Sequence, residues 1–369
     1  MKKIVSLCFV LSITLVAFSQ LATAPDGGNK KAMVGERIGI TDVTIHYDRP
    51  GVKGREGKVW GNLVHKGFAD LGFGTSKAAP WRAGSNENTT IEFSTEVKIE
   101  GQLLPAGKYG FFIAYQPEEC ILIFSKNHTS WGSYFYNEKE DVLRVKVKPV
   151  ALDKSIEWLK YEFINETENA ATISLQWEKM MIPFKVEVDL DKLQLESFRR
   201  ELRGERSFSP GWQSYQQAAQ YTADRNIALE EGLKWVDQAI SDPFAGEANF
   251  RTLSTKATLL AKLGRQAEAD SIMKKAVPMG TMQQIHQYGR QLLADKKVKE
   301  ALEVFKANYQ KNPNQFTTLM GLTRGYSANA DYKNALKYAN MALAAAPGQQ
   351  AKTQVEGMIE MLKAGKDVN

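Results

Sequence analysis

Four prolines, Pro243, Pro278, Pro313 and Pro347, recur at intervals of 35, 35 and 34 residues. Each closes a similar phrase: LKWVDQAISDP, SIMKKAVP, EALEVFKANYQKNP and NALKYANMALAAAP. A fixed period of this length means stacked supersecondary units, because one helix pair leaves an apolar face that only the next pair can bury. Proline marks where the second helix of each unit must stop. From Trp212 onward the chain therefore reads as helical repeats. Before Asp191 the period is different. Segments such as KYGFFIAY, ECILIFS, DVLRVKVK, IEWLKYEFIN, ATISLQWEK and IPFKVEVD are short, β-rich and separated by turn chemistry, LPAGK, QPEE and NETENA. Two halves with two periods require two domains, as the length of 369 residues also does.

The spacing resembles tetratricopeptide repeats. Ala301 and Ala335 stand twelve positions before the proline, with Gly289 and Phe305 matching in the third unit and Tyr326 and Ala342 in the fourth. Glu231 and Gln266 occupy the alanine position of the first two units, which are degenerate. The resemblance implies a groove for a protein or peptide partner, with Tyr215, Arg251, Gln287 and Arg324 as candidates to face it.

In the β-half, about nine strands with no helix between them predict a β-sandwich of jelly-roll-like character. Ile38, Ile40, Val43, Ile45 and Tyr47 nearly alternate, with a slip at Asp42 that reads as a bulge. The connection from Gly51 to Gly84 is long and glycine-rich, which marks it as functional or mobile. The expected organisation is a signal peptide at 1–19, a flexible mature N-terminus at 20–36 and a β-sandwich at 37–189. A linker helix at 190–210, four repeats at 211–348 and a capping helix and tail at 349–369 follow.

The start supports export. Lys2 and Lys3 precede an uncharged apolar run from Ile4 to Phe18, and Ala17-Phe18-Ser19 has the small-x-small pattern of a cleavage site. The run is too short for a membrane-spanning helix, which needs about 20 apolar residues. The expected compartment is the periplasm or the extracellular space, with no membrane span. The formal charge of +6 is spread among alternating acids and bases, so no nucleic-acid-binding stripe emerges. Of the two cysteines only Cys120 lies outside the leader, and its apolar neighbours predict a buried strand thiol. His46, His65, His128 and His286 show no metal-ligand spacing, so neither metal nor cofactor is expected. GVKGREG lacks the GK[ST] ending of a phosphate loop.

ITDVTIHYDRPGVKGR, PWRAGSNENTTIEFS, LPAGKYGFF, HTSWGSYFY, DVLRVKVKP and WEKMMIPFKVEV resemble, in that order, a family of secreted bacterial proteins known as domain of unknown function 2911. The resemblance implies a fold and an exported compartment. It carries over no catalytic residue.

PWRAGSNENTTIEFS concentrates an aromatic ring, a guanidinium, amides and a carboxylate at a strand end. Two readings follow. Arg82 pairs with Glu87 or Asp48 and pins the long loop, while Asn86 and Asn88 satisfy turn backbone. Alternatively Tyr47, Arg49, Arg82, Asn86, Glu87, His128 and Trp131 form one rim that binds a sugar or an anionic small molecule. The functional expectation is an exported binding or scaffold protein. The alternative is a periplasmic hydrolase or lyase using Arg82, Glu87 and His128 on glycan or peptide.

Overall fold

A computed structural model describes residues 28–207 and 209–369; the expected signal peptide and residues 20–27 lie outside the described residues. Two compact units divide between Gln194 and Leu195. The first is all-β. Its strands are β1 (Lys30–Ile38), β2 (Thr41–Arg49), β3 (Thr90–Phe93), β4 (Val97–Ile99), β5 (Gln102–Leu104), β6 (Gly107–Ala114), β7 (Cys120–Ser125), β8 (Asp141–Val147), β9 (Val150–Ile164) and β10 (Ala170–Glu187). One antiparallel sheet has the order β1-β2-β3-β6-β7-β8 and the other β5-β4-β10-β9. Alternate residues of both sheets point into one core. Phe111 and Phe124 of the first meet Phe184 of the second, with ring centroids 5.5 and 6.2 Å apart. This is a β-sandwich.

Three local expectations change. The slip near Asp42 is a hairpin rather than a bulge: Ile38 pairs with Thr41 across Gly39 and Ile40. Gly39 sits at φ +59°, the left-handed backbone that glycine supplies to a two-residue hairpin loop. Residues 30–36, expected as flexible, are therefore most of strand β1. ATISLQWEK and IPFKVEVD form one strand of 18 residues, not two. Its pairing with β9 shifts register on both sides of Glu178, which adopts φ +51°. A bulge lets a long strand turn without ending, and alternation alone does not separate that from a break.

The connection between β2 and β3 carries no regular strand, yet it is pinned to the sandwich. The Val52 N–H donates to the Glu157 carbonyl at 2.8 Å, and Trp81 and Ile113 exchange backbone hydrogen bonds at 3.0 and 2.8 Å. Val52, Val59, Val64 and Trp81 are buried in the sandwich core. Cys120 is fully buried, and burial pushes its thiol up to about 11. That excludes a thiolate nucleophile at neutral pH.

The second unit is all-α, entered through α1 (Leu190–Glu201). Four helical hairpins follow: α2 (Trp212–Arg225) with α3 (Leu229–Ser241), α4 (Phe250–Lys262) with α5 (Gln266–Ala276), α6 (Met282–Ala294) with α7 (Val298–Lys311), and α8 (Phe316–Ala328) with α9 (Tyr332–Ala344). Helix α10 (Gln349–Lys363) packs on α9. Each repeating proline falls just beyond the end of a hairpin's second helix, as its missing N–H requires. Three glycines face one large neighbour. The Phe305 ring of α7 seats against Gly289 of α6 and Gly321 and Gly325 of α8, where any Cβ would collide with it. These helices make a tetratricopeptide-like solenoid.

Candidate functional site

The segment from Trp81 to Thr89 is tied down on every side. The Trp81 indole Nε1–H donates to the Gly84 carbonyl at 3.1 Å. The Ala83 carbonyl accepts from the Thr89 hydroxyl at 3.2 Å and from the Tyr161 hydroxyl at 2.8 Å. The Ser85 N–H reaches the Asp48 carbonyl of β2 at 3.2 Å, and the Asn88 N–H reaches the Ser130 carbonyl at 3.1 Å. The Asn88 side-chain amide donates to the Asn127 carbonyl at 3.0 Å. Segment 81–89 is thus bound to β2 and to the loop that follows β7.

Arg82 is pre-positioned by this scaffold. Its Nη1 donates to the Asn86 carbonyl at 2.8 Å, with Asn86 at φ +53°. Its guanidinium lies 5.2 Å from the Trp131 ring centre and 5.4 Å from that of Tyr134, and those two rings are nearly parallel. Contacts of this length between guanidinium and aromatic ring are attractive. Gly132, between the rings' residues, has φ +74°, and a Cβ there would stand 2.9 Å from Arg82 Cζ. The glycine is required by backbone and by space together. Beneath the segment, burial pushes the Asp48 carboxyl up, against the pull of the Lys31 ammonium.

Arg82, Asn86 and Trp131 line one cavity of about 620 Å³, together with Lys53, Arg55, Ser85, Trp81 and Trp177. The other four residues of the expected rim are elsewhere. Tyr47 is a core residue, its ring 4.7 Å from Tyr161 and its hydroxyl accepting the Tyr161 N–H at 3.3 Å. Arg49 donates from Nε to the Leu159 carbonyl at 2.8 Å. Glu87 is exposed and paired with Lys31 at 2.7 Å, not with Arg82. His128 is half-buried in the loop after β7 and is not a lining residue. Among the described residues, neither a carboxylate nor an imidazole lines the cavity. The acid and base of the hydrolytic alternative are not assembled on it.

Lys53, Arg55 and Trp177 were not singled out from the sequence as site residues. The signal existed in GVKGREG, where two cations sit in a glycine-rich run. Arg55 donates from Nε and Nη2 to the carbonyls of Val52 and Gly51 at 2.9 and 2.7 Å. Trp177 carries no local signal, because its alternation in β10 marks only a core position.

In the helical unit a groove of about 1180 Å³ lies among α4, α5 and α6. Phe250, Ala257, Met273 and Leu292 give it apolar walls, and Gln283, Gln284, Gln287 and Gln291 of α6 add a row of amides. Asp270 and Lys297, both lining it, approach to 3.7 Å. Of the four groove candidates only Gln287 lines it. Arg324 instead donates to the Val368 carbonyl at 3.1 Å, Tyr215 packs on the helical core and Arg251 is exposed.

Among solved structures, the chain is similar to one described as "YrrB: a TPR protein with an unusual peptide-binding site", at 19% identity and TM-score 0.30, covering 44% of this chain and 81% of that one. It is also similar to MamA 41-end from Desulfovibrio magneticus RS-1, at 16% identity and TM-score 0.29, covering 44% and 95%. No curated protein matches the chain. Residues 29–186, which span the strands of the β-sandwich, match the family described as "Protein of unknown function (DUF2911)".

Proposed function

We propose that this is an exported binding protein with two recognition modules and no chemistry of its own. The helical repeats hold a segment of a protein partner, and the β-sandwich takes a small ligand. The observation that carries this reading is the groove among α4, α5 and α6. It joins apolar walls to a row of amides, each able to donate and to accept. That combination suits an extended peptide, whose backbone presents both groups while its apolar side chains are buried. The Gln287 amide sits in the middle of the row. Export rests on the leader-like residues 2–19.

The test uses the full-length chain as bait in envelope extracts. Gln287→Arg places a long charged side chain in the groove, whereas Lys352→Ala changes an exposed position of α10. A partner retained by the unaltered chain and by Lys352→Ala is expected to fall about tenfold with Gln287→Arg, the scale of one central interface residue. Equal capture by all three would refute the groove as the partner site.

A further inference from the structure

The cavity of the β-sandwich has a charge and a set of unused donors that specify what it accepts. Lys53, Arg55 and Arg82 all line it, and among the described residues none of them forms an ion pair. Nearby carboxylates are committed elsewhere. Glu87 pairs with Lys31 on the surface, Glu157 accepts the Lys53 backbone N–H at 3.0 Å, and Glu178 accepts the Gly57 N–H at 2.7 Å. None of them lines the cavity.

Two further lining groups are buried with no hydrogen-bond partner, the Ser85 hydroxyl and the Trp177 indole Nε1–H. Trp177 is 1% exposed. An orphaned buried donor is costly, and native proteins leave very few of them. Three cations and two unused O–H or N–H groups at one cavity share one complement, a group of anionic oxygens. The guanidiniums are already fixed by backbone carbonyls and by the Trp131–Tyr134 pair, so little side-chain entropy remains to be lost on binding. Pro50, Leu63, Val64, Trp81 and Trp131 add apolar and aromatic surface to the lining, beside the amides of Asn29 and Asn86. The volume, about 620 Å³, is that of a small-molecule site.

We infer that this cavity binds an organic oxyanion. Its phosphate or carboxylate oxygens lie against Arg82, Arg55, Lys53, Ser85 and Trp177, and its ring-sized body lies against Trp131 and Trp81. This names the ligand of the β-sandwich part of the proposed function. It does not depend on the partner site of the repeats.

The test is calorimetric titration of the full-length chain with a hexose phosphate, a hexuronate, the neutral hexose and inorganic phosphate. The expected result is saturable binding of at least one of the two organic anions. It should be at least about tenfold tighter than that of the neutral hexose, the scale of one charge-assisted hydrogen bond. Inorganic phosphate should bind more weakly than the organic anion, because it leaves the aromatic surface uncovered. Arg82→Gln and Arg55→Gln should each weaken binding at least about tenfold, while Lys146→Ala, a surface lysine of β8 paired with Glu119, should not. Gly132→Ala, which displaces the Arg82 guanidinium without removing it, separates position from charge and should weaken binding as well. Three results overturn the inference: neither organic anion binds, binding is unchanged in Arg82→Gln and Arg55→Gln, or a neutral hexose binds as tightly as its phosphate. Partner capture through Gln287 is measured separately, so failure here leaves that result standing.

Discussion

Phe305→Ala is expected to remove about 3–5 kcal/mol from the helical unit, the range for deleting a fully buried aromatic side chain. Phe305 is 1% exposed and its ring fills the space left by three glycines on two helices. Gly289, Gly321 and Gly325 have no side chain of their own to fill the void, so a cavity term adds to the lost transfer energy. Urea denaturation followed at 222 nm reads the helical transition, which should move to markedly lower urea. Phe305→Leu keeps most of the volume and should cost clearly less. Equal midpoints for the unaltered chain and Phe305→Ala would mean that α6, α7 and α8 do not pack around this ring.

The second large effect is acid-dependent and centres on His286. This imidazole stands 5.6 Å from the Phe305 ring, and its Nδ1 is buried without a partner. Burial holds its pKa down to about 4, and the Arg290 and Arg324 guanidiniums act in the same direction. The folded chain therefore refuses a proton that the unfolded chain accepts at about 6.5. Above that pH both states carry neutral imidazole and the residue adds no pH dependence. Between about 6.5 and 4 the unfolded state gains the proton alone, so stability falls with pH. Below about 4 both states are protonated and the loss levels off. The loss is bounded at about 3 kcal/mol and is smaller to the extent that solvent reaches the ring. Comparing denaturation midpoints at pH 7 and pH 4.5 for the unaltered chain and His286→Phe isolates this contribution. The difference between the two pH values should shrink in the variant; the same difference in both would show that His286 is not its source.

Much of the helical unit was legible because its information is periodic. Pro243, Pro278, Pro313 and Pro347 fall just past helix ends, and Gly289 and Phe305, matched by motif, touch as the motif implies. The burial of the His286 Nδ1 without a partner was not legible, since it depends on which residues of α8 arrive beside α6. In the sandwich, alternation located strands but not their ends. Gly39 turns the chain inside an apparently continuous pattern, and Glu178 bends a strand that the pattern divides. The cavity shows the same limit. Arg82, Asn86 and Trp131 were found because PWRAGSN and HTSWGS are dense in polar and aromatic groups. Tyr47 has the same chemistry, but an inward position in β2 commits it to the core. Trp177 comes from a strand far along the chain, and only the packing of two sheets brings it to Arg82.

The central claim is that this chain works by binding, with the repeat groove as the partner's seat. Hydrogen–deuterium exchange of the full-length chain, alone and with the partner captured through the bait experiment, tests it most directly. The account predicts slower exchange across residues 254–262, 266–273 and 282–295 in the complex, with the helices that do not line the groove nearly unchanged. Protection confined to other surfaces, with these three segments exchanging as they do in the free chain, would contradict it.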